Sequence, residues 1–373
     1  MRFDVSVVVP LYNAEKFIRV CVDSVLNQTL KNVEVVIVDD CSQDNSLNLC
    51  RELYGDNERV QILQQSQNGG PGAARNRGVR EARGEYIAFL DSDDEMMPEN
   101  LERMFTAAKE YDADVLHNNQ VRIMLPLDDG SMPLEMLNYP ENFVPYLFDR
   151  GEMIKDIQLL PMDMKQRLAS WEEDHIHWFM GNKMIRRSFL VENEIIFPEV
   201  KLAEDAMFCL QCLLKAKNYV LMPGGWCLFR INPTSLTRSG RTVNSMIKAL
   251  QTQLDVMKAL DTLSEKLPAL KDSENFYTAA KTILRSIENF SVRFHFQELG
   301  QEAIRADKDL AAFFQKNFGA NAPYVEFLFF QLHEVYPKLQ MLYILDFELL
   351  KSVKQAFDEA KASGKEFILK DNY

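Results

Sequence analysis

The stretch Tyr86-Ile87-Ala88-Phe89-Leu90-Asp91-Ser92-Asp93-Asp94 runs from five apolar residues straight into a cluster of carboxylates. An apolar run without alternation reads as a strand buried on both faces, the mark of a parallel sheet covered by helices. The acids then fall at the carboxyl end of that strand, where open α/β sheets bind their ligands. Upstream, Val5 to Val9 is a β-branched run closed by Pro10, Val33 to Val38 is a second closed by Asp39 and Asp40, and Val60 to Leu63 is a weaker third. Helical signals separate these strands. Phe17, Cys21 and Val25 recur every four residues behind Asn13, a suitable helix cap. Gly70 to Arg83 reads as a helix opened by glycine and proline and ended by Gly84. This alternation predicts an α/β fold with a mainly parallel sheet and helices on both faces.

The chain has 373 residues, enough for two domains. Pro126 to Pro145 carries four prolines and the turn Asp128-Asp129-Gly130, a loop inside the first domain. Beyond Val243 the pattern is helical: Met246, Leu250, Leu254, Met257 and Leu260 keep a three-to-four spacing. The expected division is a catalytic domain at 1–240 and an all-α accessory domain at 241–373. A hydrophobic share of 47% excludes wholesale disorder, and 15 glycines with 14 prolines exclude collagen-like repeats. A net charge of −13 argues against nucleic acid and anionic lipid as electrostatic partners. No apolar run approaches the ~18 residues of a membrane span, and Met1 leads into a strand rather than a leader. The reading is a cytoplasmic protein, compatible with peripheral contact at the inner face of a membrane. Six cysteines are sparse and read as reduced thiols; Cys209 and Cys212 lack a second ligand pair, and His175 with His177 lacks a third ligand.

Four clusters carry chemistry. In an extended chain Asp91 and Asp93 point the same way, and carboxylates this close favour a divalent cation such as Mg²⁺; the competing reading is a cap for a helix starting near Pro98. Asp39, Asp40 and Asp44 suit either ribose hydroxyls or a helix cap. The turn Asn68-Gly69-Gly70-Pro71-Gly72-Ala73-Ala74-Arg75-Asn76-Arg77-Gly78 enters a helix and offers amides and cations to an anion. It is neither a P-loop, lacking Gly-Lys-Ser/Thr, nor a dinucleotide fingerprint, since Arg75 stands where the third glycine belongs. Glu204 and Asp205 suit the positive end of a helix, or the acceptance of a proton from a hydroxyl.

In their order along the chain, Val7 to Asn13, Val38 to Asp40, Asn68 to Gly78, Phe89 to Asp94 and Glu204 to Phe208 closely resemble the family 2 glycosyltransferases, over Val5 to Thr237. The resemblance implies the GT-A fold and an inverting enzyme that moves a sugar from a nucleotide diphosphate, a UDP-sugar before others, to a hydroxyl of a saccharide or lipid-linked acceptor in surface polysaccharide synthesis. It implies Pro10, Tyr12 and Asn13 beside the nucleobase, Asp40 near base or ribose, and Arg75 with Asn76 on the nucleotide side. Asp91, with Ser92 beside it, resembles the contact to ribose or sugar, Asp93 the ligand of Mg²⁺ or Mn²⁺, and Asp205 the catalytic base. Gly181 to Met184, with Arg186 and Arg187, looks like the acceptor-side strand and helix. Where relatives carry a histidine ligand this chain has Phe229-Arg230-Ile231-Asn232, which assigns phosphate neutralisation to Arg230. Two rivals stand beside this reading. A sugar nucleotidyltransferase would open with a glycine-rich loop carrying arginine and lysine, whereas Pro10-Leu11-Tyr12-Asn13 follows the first strand here. A non-catalytic scaffold would bind the nucleotide sugar alone. The C-terminal helices could read the acceptor, form a homo-oligomer or touch a membrane, with the aromatic segment from Phe327 to Phe330 as core.

Overall fold

The computed structural model describes residues 3–119, 122–124, 154–172, 176, 178–200, 202–224, 227–230, 242–287, 299, 301–323, 325–326, 329, 359 and 362. His175, His177 and the loop Pro126 to Pro145 lie outside the described residues. The chain divides into two compact units, Met1–Asn232 and Pro233–Tyr373.

In the first unit the strands are β1 (Phe3–Leu11), β2 (Val33–Asp39), β3 (Val60–Gln64), β4 (Gly84–Phe89), β5 (Glu95–Met96), β6 (Val115–Asn118), β7 (Arg122–Met124), β8 (Gln158–Leu159), β9 (Lys183–Arg186), β10 (Tyr219–Met222) and β11 (Cys227–Arg230). The helices are α1 (Ile18–Leu26), α2 (Ser46–Tyr54), α3 (Gly70–Glu81), α4 (Asn100–Glu110), α5 (Met164–Glu172), α6 (Arg187–Glu192) and α7 (Glu204–Lys215). Eight strands form one sheet in the order β3-β2-β1-β4-β9-β6-β10-β8, and a small sheet runs β5-β11-β7. The valine runs behave as their chemistry dictates: β2 is wholly buried, and Val7 pairs with Val35 on one side and Ala88 on the other, all parallel. β9 enters antiparallel between β4 and β6, and β8 closes the far edge antiparallel to β10. The sheet is therefore mixed but mainly parallel, and the ends of β1, β2 and β4 bring Leu11, Asp40 and Leu90 to one edge.

The helix after β1 begins later than its capping signal. Asn13 adopts a left-handed conformation (φ 50°), and its side-chain carbonyl accepts the Gln43 N–H at 2.7 Å; α1 starts at Ile18 behind Phe17. Asn13 thus ties two loops together instead of opening a helix. α3 lies directly on β1, because a Cβ at Gly78 would stand 2.2 Å from Val8 Cγ1, closer than any packed side chain tolerates.

In the second unit, α8 (Val243–Lys266) opens on a capping box between Thr242 and Ser245. Met246 and Leu250 pack with Ile304, Leu310, Phe313, Phe314 and Phe329. No helix among the described residues is long and apolar enough to cross a membrane. Phe327, Leu328 and Phe330 lie outside the described residues.

Candidate active site

The glycine-rich turn already holds an anion, and it belongs to the protein. Asp40, buried at the end of β2, accepts the N–H of Gly69 at 2.8 Å through one carboxylate oxygen and that of Gly70 at 2.7 Å through the other. Asn68 donates to the Asp40 carbonyl at 3.0 Å. Asp40 thus caps the N-terminus of α3 from another segment, the favourable place for a negative charge. Its neighbour Asp39 is also buried and accepts the Ser42 N–H at 3.2 Å. Tyr12, by contrast, is 47% exposed, beside the buried Pro10.

Along α3 the next two polar side chains turn toward the protein. Asn76 donates to the Phe197 carbonyl at 2.8 Å and accepts the Phe197 N–H at 2.9 Å, so its amide anchors the segment before α7 rather than reaching for a nucleotide. Arg75 is 5% exposed. It donates to Asp91 at 2.7 Å and to Glu204 at 3.3 Å, and its guanidinium lies over the Phe197 ring at 5.4 Å. A single guanidinium thereby brings the carboxyl end of β4 and the start of α7 to one place.

The acidic turn does not cap α4, whose N-cap is Glu99 with no side-chain bond. It folds on itself through Asp94 N–H to the Asp91 carbonyl at 2.9 Å and is gripped by Arg230. The Arg230 N–H donates to Asp94 at 2.8 Å, its Nε to the Asp93 carbonyl at 3.0 Å, and its guanidinium pairs with Glu95 and lies over Phe17 at 5.2 Å. Arg230, expected to neutralise phosphate, clamps the acidic turn with its main-chain N–H, its Nε and one guanidinium nitrogen. Asp94 is fully buried, and burial followed by the charges of Asp91 and Asp93 pushes its pKa well above the usual carboxylate range. Ser92 is half-buried in the same turn.

At the far side, Ala203 takes a left-handed conformation (φ 62°), a strain of roughly 1–2 kcal/mol for a residue with a Cβ, immediately before α7. Phe197 and Phe208 stack at 3.9 Å and brace this entrance. Glu204 and Asp205 form the first turn of α7. Asp205 accepts the Ala206 N–H at 2.7 Å, and burial, then the adjacent Glu204 charge, pushes its pKa up to about 7 against the opposing Arg75. Lys183, the first residue of β9, is buried, donates to the Phe179 and Asn182 carbonyl oxygens, and has its pKa lowered by burial.

Among the described residues no three His, Cys, Asp or Glu side chains converge as a cage for an ion. The donor set suits a hard dication that uses one or two carboxylates and completes its shell from substrate phosphates and water. Motif reading had not singled out Glu95, Phe17 or Phe197 for the site: they belong to no recurring polar spacing, and only their arginine partners mark them.

Residues 6–190 match the model of the family described as Glycosyl transferase family 2. Over 234 residues the chain is 29% identical to the uncharacterized glycosyltransferase EpsJ of Bacillus subtilis, covering 62% of this chain and 62% of that protein. Over 219 residues it is 33% identical to a poly(ribitol-phosphate) beta-glucosyltransferase of Bacillus spizizenii, covering 57% and 30% respectively. The chain spans less than two thirds of the length of these relatives. Among solved structures, S. aureus TarS 1-349 in complex with UDP-GlcNAc superposes with a TM-score of 0.56 at 21% identity, covering 99% of this chain and 94% of that one. That likeness is one of fold, and with the mixed eight-stranded sheet it identifies the GT-A architecture.

Proposed function

Because the chain belongs to glycosyltransferase family 2, we propose that it is an inverting transferase, moving a sugar from a nucleoside diphosphate to an acceptor hydroxyl. The observation that supports this most directly is the meeting of Asp91 with Glu204 and Asp205 around Arg75. The nucleotide sugar lies across the ends of β1, β2 and β4, with the exposed Tyr12 beside the base. Asp91 keeps one carboxylate oxygen for a sugar or ribose hydroxyl, since Arg75 takes the other. Asp205 accepts the proton of the acceptor hydroxyl as that oxygen bonds to the anomeric carbon from the face opposite the nucleotide. The anomeric C–O bond breaks, and its electron pair leaves with the diphosphate. The raised pKa suits the task, because a general base works best near the operating pH. Mg²⁺ or Mn²⁺ held at Asp93 would supply charge neutralisation at the leaving diphosphate.

UDP is the first nucleotide to test, because the TarS structure holds UDP-GlcNAc. The similarity to a poly(ribitol-phosphate) beta-glucosyltransferase supports a surface polymer or its lipid-linked precursor as acceptor. The helical region 241–373 is assigned to acceptor reading or self-association. Thermal shift of the full chain with UDP, GDP, CDP and dTDP, with and without Mn²⁺, is expected to show one nucleotide whose stabilisation needs the cation. With the matching nucleotide sugar, release of nucleoside diphosphate supports transfer; release of pyrophosphate, or no consumption by any donor, overturns the reading.

A further inference from the structure

We propose that Arg75 is a positioning residue: it ties the donor-facing Asp91 to Glu204, and so reserves Asp205 for the acceptor. The inference rests on the transferase reading above and assigns different work to two adjacent acids of α7.

Arg75 lies 16 residues from Asp91 and 129 from Glu204 along the chain, so the node closes only in the folded unit. Both contacts are charge-assisted and made by a guanidinium that is itself buried; the Glu204 side chain is 12% exposed and that of Asp91 32%. α3 also backs directly onto the entrance of α7. A Cβ at Gly72 would meet Glu204 Cγ at 3.0 Å and Phe197 Cβ at 3.2 Å, and Asn76 holds the Phe197 main chain in both directions. Glu204 is therefore fixed from its flank by α3 and from its carboxylate by Arg75. Asp205 takes its one described hydrogen bond from the adjacent Ala206 N–H, within its own helical turn. The forked guanidinium reaches two carboxylates at once, a geometry that a lysine ammonium does not reproduce.

Charge gives the node a signature. Among the described residues, Asp205 feels Glu204 and Arg75 most, with Asp91 beyond them, and its own charge raises the pKa of Lys183 on β9 and of Cys209 on its own helix. Glu204 raises the Asp205 pKa, whereas Arg75 lowers it. Removing the two partners should move Asp205 in opposite directions, which no merely structural role would do.

The test uses the full-length chain as wild type, Arg75→Met, Arg75→Lys and Glu204→Gln. Each is measured for kcat against pH with the nucleotide sugar that wild type consumes, and for UDP affinity in Mn²⁺. Arg75→Met is expected to lower kcat about 10- to 100-fold, the scale of a misplaced catalytic group, with little change in UDP affinity. Its acidic limb should move to higher pH, that of Glu204→Gln to lower pH, and Arg75→Lys should recover part of kcat. Loss of UDP affinity at unchanged kcat would make Arg75 a donor ligand and overturn the proposal, as would limbs that move together. Should Arg75→Met fail to fold, Glu204→Gln decides by the direction of its limb, and an unmoved limb overturns the proposal. A wild type that binds UDP yet consumes no nucleotide sugar rejects the transferase reading itself, and this assignment with it; an active wild type with unaffected variants rejects this assignment alone.

Discussion

Arg75 holds the acidic turn at the Asp91 carboxylate and carries the grip on to Glu204, whereas Arg230 holds it through its own main-chain N–H on the Asp94 carboxylate, its Nε on the Asp93 carbonyl and its guanidinium on Glu95. Arg75 is expected on the nucleotide side and Arg230 at the phosphates, and both bond carboxylates of the protein itself. The difference lies in what each grip transmits. Two carboxylates on one buried guanidinium share charge, so the Arg75 end passes electrostatics from β4 to α7. The bonds of Arg230 stay within one stretch, from the Asp93 carbonyl through the buried Asp94 carboxylate to Glu95, and so fix where the turn lies. The Arg75 end should therefore govern chemistry, and the Arg230 end should govern the shape of the proposed dication and diphosphate site.

The hardest strike at this contrast is Asp205→Asn, at the Arg75 end. It removes the proposed base while preserving size, and kcat should fall about 10²- to 10⁴-fold, the usual range for losing a general base, with UDP affinity retained in a calorimetric titration. Full activity in this variant would move the base elsewhere. Arg230→Met comes next. It frees the Asp93 carbonyl and leaves Glu95 without its cation, so the Mn²⁺ concentration needed for UDP binding should rise about 10-fold, as when an outer support of a metal site is lost. If Arg230→Met instead shifts the pH profile as Arg75→Met does, the division between charge and shape collapses.

A milder probe is pH alone. Asp205 ordinarily titrates near 3.8 and here near 7, so wild-type kcat should rise with pH to about 7 and then level. The same shift has a stability consequence of definite sign. The folded chain binds this proton more tightly than the unfolded chain, so ionising Asp205 costs stability as pH rises from about 4 to about 7. Denaturant titrations of wild type and Asp205→Asn at pH 5 and pH 8 should show the gap between them widen at the higher pH, with Asp205→Asn the more stable.

The parallel half of the fold was legible because its first strands are rich in valine and isoleucine: Val33 to Val38 is apolar at every position but Glu34, and burial on both faces explains it. The place of β9 between β4 and β6 was not, since Lys183 to Arg186 arrives from far along the chain and antiparallel pairing has no local signature in four residues. The polar motifs were visible as motifs, but their partners were not. A glycine-rich turn before a helix announces an anion site; that the anion is the Asp40 carboxylate depends on β2 and α3 lying side by side. Asn13 carried a cap's chemistry and made a loop bond instead, because a short polar side chain that tolerates positive φ serves both uses.

Asn76 sharpens the comparison by the smallest effect on catalysis. It stands next to Arg75 on α3, and a nucleotide-binding role for one would suggest the same for the other. Its amide, however, closes a two-way bond with the Phe197 main chain, and Phe197 lies beneath the Arg75 guanidinium and against Phe208. Asn76→Ala would leave a main-chain N–H and a carbonyl without that partner, at roughly 1–3 kcal/mol for the unmet groups. Thermal unfolding should register that loss, kcat should fall only to the extent that the α7 entrance drifts, and UDP affinity should stay at the wild-type value. A variant that folds with wild-type stability and binds UDP weakly would turn this side of α3 back toward the nucleotide, and Arg75 would have to be re-examined with it.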